Sequence, residues 1–279
     1  YGHWDVIFRY FVKCGRRQLY KMRYGVLECC TDSLESVKNA VRGGANRLEL
    51  CGNLVIGGTT PSFALFEQVK EICDTRINVL IRPRFGDFCY TKEETRQMAR
   101  EIRWFREHGA NGVVIGMLNP DGTLDTEGMK YLLEEAGTIE VTLHRAFDMC
   151  KDPHEALEQA VVFGIRNILT SGQQESAPKG AKLLKQLQQQ ADGRIQILAG
   201  GGIHAGVIRS LYEETGILDY HMSGKIVVNS QMQYRKSEVS MGLPSLSEYE
   251  IWQTAEENVK EARNVLDELE KKAEEHSER

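Results

Sequence analysis

The chain has 279 residues, 41% of them hydrophobic and 27% charged, with 26 glycines and 6 prolines, which excludes a disordered, collagenous or low-complexity protein. A formal net charge of −5 argues against a protein that coats nucleic acid by bulk charge. No apolar run reaches the ~18 residues of a membrane span.

Charge is unevenly placed along this chain. Residues 1–23 are basic, with Trp4, Ile7, Phe8, Phe11 and Val12 at helical spacing. That pattern suits a targeting or membrane-surface segment. Met22 directly precedes the first strand, so residues 1–23 read as a leader outside the fold. Seven cysteines, Cys14, Cys29, Cys30, Cys51, Cys73, Cys89 and Cys150, form no zinc-finger spacing. An odd set with no secretory signal reads as reduced thiols of a cytoplasmic protein.

From residue 24 one unit repeats: a short apolar run, a polar or glycine loop, then a helical pattern. The strands predicted are Tyr24 to Cys29, Asn46 to Leu50, Ile77 to Ile81, Gly112 to Gly116, Glu140 to Leu143, Asn167 to Thr170, Ile195 to Leu198 and Leu218 to Met222. Helices follow from Ser33, from Ser62, over Lys92 to His108, Thr126 to Glu135, Pro153 to Phe163, Lys179 to Ala191 and His204 to Glu214. Strict alternation means a parallel sheet with right-handed crossovers. Eight units in this length favour a closed (β/α)8 TIM barrel over an open doubly wound sheet. Residues 224–246 read as irregular, and Tyr249 to Ala273 as a long acidic C-terminal helix. The domain expected is 24–246, with 247–279 as an added helix packing on or beyond the barrel.

Barrel chemistry sits where strands end, and seven of the eight strands here deliver polar or glycine residues to that rim. Glu28 and Cys30 share a face, as do Glu49 and Cys51, because side chains two apart on a strand point the same way. Arg82, with Arg84 two residues on, is placed to pair with Glu49. Two thiols on adjacent strands, Cys30 and Cys51, suit low-coordinate Cu(I), whereas a zinc site would need further ligands; two ordinary buried cysteines are the alternative. Gly200, Gly201 and Gly202 run into a helix and suit an anion, with Ser171 and Ser223 as hydroxyl donors. Glu28, His144, Asp148 and His221 are the titratable candidates for acid–base work.

Those stretches, read in order, resemble the CutC family of copper homeostasis proteins. The matching runs are Leu27 to Ser33, Arg47 to Cys51, Gly57 to Ser62, Arg82-Pro83-Arg84 with Gly86-Asp87-Phe88, His144 to Asp148, Leu169 to Gly172, Gly200 to Ile203, and Val239 to Gly242. The resemblance implies a (β/α)8 barrel, a cytoplasmic homo-oligomer (dimer or tetramer) and a Cu(I) site at Cys30 and Cys51, with Cys29 pointing outward toward the first helix. It departs locally at Phe85 and in Gly52 to Val55. Two functions are therefore expected to compete: Cu(I) binding or trafficking through paired cysteines, and an isomerase, aldolase or lyase acting on a small anionic or phosphorylated metabolite. In the second, Glu28 or His144 moves a proton, Asp148 orients a partner, and Arg82 or the glycine triplet holds the anion. No aromatic and basic stripe supports a nucleic-acid partner.

Overall fold

The computed structural model describes residues 25–277 apart from 237, 240 and 242–245. The leader of residues 1–23, with Cys14, lies outside the described residues, as do Tyr24, Ser240 and Gly242.

Eight parallel strands close into one barrel in chain order. They are β1 (Leu27–Thr31), β2 (Arg47–Leu50), β3 (Arg76–Leu80), β4 (Gly112–Ile115), β5 (Glu140–Leu143), β6 (Asn167–Thr170), β7 (Gln196–Gly200) and β8 (Asp219–Met222). The connecting helices are α1 (Leu34–Arg42), α2 (Phe63–Ile72), α3 (Lys92–Glu107), α4 (Thr126–Ala136), α5 (Pro153–Val162), α6 (Ala181–Ala191) and α7 (Ala205–Thr215). Their starts are chemically marked. Ser33, Ser62, Asp125 and Asp152 each accept a first-turn amide, and Thr91 with Glu94 forms a capping box. Each such cap satisfies donors that a helix leaves open. β1 begins three residues later than the alternation predicts, because the amides of Gly25 and Val26 donate to Glu270 Oε1 (2.7 Å) and Asp219 Oδ1 (3.0 Å).

The stretch after β8 differs from the sequence-based expectation. Lys225–Asn229 (β9) and Glu250–Thr254 (β10) pair as an antiparallel ribbon, where irregular chain and the start of a helix were expected. Ile226, Val228, Ile251 and Trp252 are strand formers, and Lys225 Nζ lies 3.6 Å from the Trp252 ring centre. The last helix, α8 (Glu256–Ser277), starts only after this ribbon. It buries Val259, Ala262, Leu266 and Leu269 in the apolar core and packs between α7 and α1, so it takes the place of the eighth barrel helix.

Register decides what the barrel encloses. Glu28 pairs with Arg47 on one side and His221 on the other, Cys30 with Glu49, Glu49 with Asn78, Asn78 with Gly112, and Thr142 with Asn167. Register partners in a parallel sheet share a face. The intervening positions, such as Leu48, Val79, Ile115, Leu143, Ile168, Ile197 and Tyr220, belong to the apolar layer under the helices. The helices answer with their own stripes: Met98, Ile102 and Phe105 of α3 are wholly buried, each stabilising by about 1.5–3 kcal/mol. Cys29 sits in this outer layer, as the resemblance implies. The inner face, by contrast, carries buried Glu28, Arg47, Glu49, Asn78, Thr142 and Asn167.

Candidate functional site

A cavity of about 380 Å³ opens at the C-terminal ends of the strands. Its lining includes Cys30, Glu49, Arg82, His144, Arg145, Gly201, Gly202, His221, Ser223 and Lys225. Eight sequence-predicted residues therefore converge on it: Cys30, Glu49, Arg82, His144, Gly201, Gly202, His221 and Ser223.

One wall comes from β1, β2 and β8. Cys30, Glu49 and His221 each offer a ligand atom, and these atoms lie within 4.8 Å of one another. Beneath them Glu28 is fully buried. It accepts from Arg47 and sits 2.8 Å from Nδ1 of His221. Burial pushes the Glu28 carboxyl up, but the Arg47 and His221 charges outweigh it and hold its pKa at about 2. Burial raises the Glu49 carboxyl to about 7 against the pull of His221. For His221 burial disfavours the proton, yet the Cys30 sulfur, Glu49 and Glu28 together raise its pKa well above 6.5. With Glu28 holding Nδ1–H, His221 turns Nε2 toward Glu49, 3.8 Å away. A carboxylate behind an imidazole fixes its tautomer and raises its basicity as a ligand. Cys30 Sγ lies 3.5 Å from the Met222 carbonyl.

The opposing charges come from higher strand positions. Arg82 does not pair with Glu49, contrary to expectation. The register partner of Glu49 on β3 is Asn78, so Arg82 stands four residues, or ~13 Å, further along the strand. Its Nη1 donates to the carbonyls of Gly57 and Gly58 and its Nη2 to that of Gly86, and its Cζ lies 5.1 Å from the Phe88 ring centre. His144 is 4% exposed. Its Nδ1 accepts from the Ala146 amide at 3.1 Å, which assigns the proton to Nε2, and Nε2 has no partner. Burial and then the Arg82 charge lower its pKa to about 3, so the ring is neutral. Gly116 makes this placement possible, since a Cβ there would lie 2.6 Å from His144 Nδ1.

The other predicted residues stand outside the cavity lining. Asp148 is saturated, accepting from Thr170 Oγ1 (2.5 Å), the amides of Ser171 and Gln173, Ser171 Oγ and Arg145 Nε. It anchors the segment after β6 and aims Arg145. Ser171 Oγ is spent on Asp148, Arg145 Nη2 and the Gln174 carbonyl. Arg84 ties its own loop to Glu94, Asp87 and the Cys89 carbonyl. Gly200 gives space to Leu169 and His221. Helix α7 is capped by the His204 side chain and not by the glycine triplet. Cys51 is fully buried with Leu80 and Val114, 3.5 Å from the Thr31 carbonyl; burial pushes its thiol up, and it is not a member of the Cys30–Glu49–His221 group.

Three contributors escaped the sequence reading. Arg47 shares the inner face with Glu49, a signal the two-residue alternation carries. Arg145 follows a strand-end histidine but reaches the cavity because Arg145–Met149 turns as a 3-10 segment. Lys225 arrives on the ribbon.

The profile of the CutC family matches residues 25–226. A CutC family protein of Bacteroides fragilis is 45% identical over 242 residues, 86% of this chain and 96% of that protein. A human protein named copper homeostasis protein cutC homolog is 42% identical over 246 residues, 86% of this chain and 90% of its own. The crystal structure of a CutC from Streptococcus agalactiae aligns with TM-score 0.68 at 31% identity, covering 71% of this chain and 98% of that one. Phosphoribosylanthranilate isomerase from Thermotoga maritima, at 12% identity and TM-score 0.52 over 88% of this chain and 99% of that one, shares the fold alone.

Proposed function

The chain belongs to the CutC family, and we propose that its barrel mouth binds copper as cargo, through Cys30, His221 and Glu49. The observation that carries this reading is the convergence of their three ligand atoms within 4.8 Å, with Glu28 holding the far side of the imidazole. The donor set fits the ion. A thiolate and an imidazole suit Cu(I), while a carboxylate is the harder, weaker donor. Cys51 lies beside the group, and in a two-cysteine version of the reading it supplies a second thiolate.

Two further features complete the proposal. Cytoplasmic residence is supported by six free cysteines among the described residues, which suits a reducing compartment. Among those residues no helix is long and apolar enough to cross a membrane. Self-association is supported by the β9–β10 ribbon. A lone two-stranded ribbon is marginal in water, and this one exposes Ile226, Val227 and Ile251.

The test is anaerobic Cu(I) titration against a competing chelator. Cys30→Ser and His221→Asn are expected to weaken binding at least ~10-fold each. Cys51→Ser loses comparably only if both thiols hold the ion. Wild-type affinity in Cys30→Ser overturns the reading.

A further inference from the structure

The cavity wall formed by the segments after β3, β5 and β7 uses none of the proposed copper ligands, and its chemistry is that of an anion receptor. Arg82 is 8% exposed. Its terminal nitrogens meet only the carbonyls of Gly57, Gly58 and Gly86, and its Nε has no partner. No carboxylate stands within ion-pair distance of it among the described residues. A buried cation met only by dipoles retains an unmet demand for negative charge. His144 adds a second buried donor without a partner, Nε2–H, and half-buried Phe88 packs against both groups, its ring 4.9 Å from that of His144.

The same cavity is lined by Arg145, which Asp148 and Ser171 hold in place. Gly201 and Gly202 have φ of +91° and +73°, a conformation that glycine adopts at no steric cost. Their amides donate to no protein group among the described residues. A Cβ on Gly201 would stand 3.8 Å from Cζ of Arg145, so the bare backbone and the guanidinium are neighbours. The lining carries Arg82, Arg145 and Lys225 against Glu49 as its one acid.

We propose that this wall binds the phosphate group of a small metabolite, with Arg82 and Arg145 as cations and His144 Nε2–H and the Gly201 and Gly202 amides as neutral donors. A phosphomonoester carries ~−2 charge near neutrality, which matches two guanidiniums better than a single carboxylate does. Planar guanidinium forks suit phosphate oxygens, and a cavity of about 380 Å³ falls at the small end of the range for metabolite sites. This goes beyond the copper reading and shares no residue with it.

Inorganic phosphate titrated calorimetrically into metal-free protein, at ionic strength held constant with chloride, is expected to bind saturably. Arg145→Met, at a side chain 44% exposed, is expected to weaken binding roughly tenfold or more. Arg82→Lys keeps the charge, loses the fork, and is expected to weaken it as well. Cys30→Ser is expected to leave phosphate affinity unchanged, so failure of the copper reading and failure of this one are distinguishable. No saturable heat up to ~50 mM phosphate, or wild-type affinity in folded Arg145→Met, overturns the proposal.

Discussion

His144 makes the stability of this barrel depend on pH in a calculable way. Its ring is buried, its Nδ1 is committed to the Ala146 amide, and burial together with the Arg82 charge lowers its pKa from 6.5 to about 3. The unfolded chain takes up a proton on this ring below pH ~6.5 while the folded chain refuses it until about pH 3. The unfolded state therefore binds more protons in that window, and stability falls as pH falls. Between pH 7.5 and pH 5 the linkage amounts to about 2 kcal/mol. The perturbation is His144→Asn, which keeps an acceptor for the Ala146 amide and removes the titrating group. The variant loses ring packing against Phe88 at every pH, a constant offset. Urea unfolding followed by circular dichroism at both pH values, on metal-free protein, reads the difference. Wild type is expected to lose about 2 kcal/mol more than the variant on going to pH 5. Equal losses would refute the assignment of His144 as a neutral, buried imidazole.

Two further outcomes test the framework around the site. Arg47→Met leaves fully buried Glu28 without its guanidinium partner and is expected to cost about 3–5 kcal/mol in urea unfolding, with Glu28→Gln in the same chain recovering part of the loss; a cost below ~1 kcal/mol would mean that this pair does not hold the barrel interior. Placing Lys at Val227 and Ile251, both exposed on the β9–β10 ribbon, is expected to lower the mass found by light scattering behind size exclusion, and a monomeric wild type would sink the self-association proposal.

Sequence pattern and structure agree where one physical rule dominates. The outer faces of the strands are apolar because helices cover them, and that layer made the eight apolar runs legible. Strand limits moved where side chains, not ladder partners, took the backbone amides, as Glu270 does for Gly25. The ribbon was invisible because its two strands are separated by twenty residues without a tight-turn signal, so local alternation had no partner to announce it. Site residues were legible through position: a strand-end location predicted Cys30, Glu49, Arg82, His144 and His221. Height along the strand was not legible. Arg82 and Glu49 were paired by adjacency of strands, and only register shows that Asn78, four residues before Arg82, is the residue opposite Glu49. Asp148 illustrates the converse error, since a carboxylate near the mouth is equally suited to organising a loop, and its donors show that it does so here.

The inner face of this barrel carries the functional argument. Parallel strands buried on both faces ordinarily read as continuous apolar runs, and barrel interiors are filled mainly by branched apolar side chains. Here the inner face holds two carboxylates, a guanidinium, amides and a hydroxyl, and the polar groups are satisfied unevenly. Low in the barrel Glu28 meets Arg47 and His221, and Asn167 Nδ2 meets Thr142 Oγ1 at 3.0 Å. At the mouth Arg82 Nε and His144 Nε2 meet nothing. The Glu28–Arg47–His221 group is a support, because orienting His221 through Glu28 needs Glu28 to be held ionised by Arg47, while Arg47 Nη2, both Asn78 amide atoms and Asn167 Oδ1 in the same layer meet no protein partner. Arg82 and His144 differ in lining the cavity, where a buried donor left unmet is costly unless a ligand completes it. Chains break local rules chiefly where function requires it, and in this barrel the residues carrying the unmet Arg82 and His144 donors and the convergent ligand atoms of Cys30, Glu49 and His221 border a single cavity.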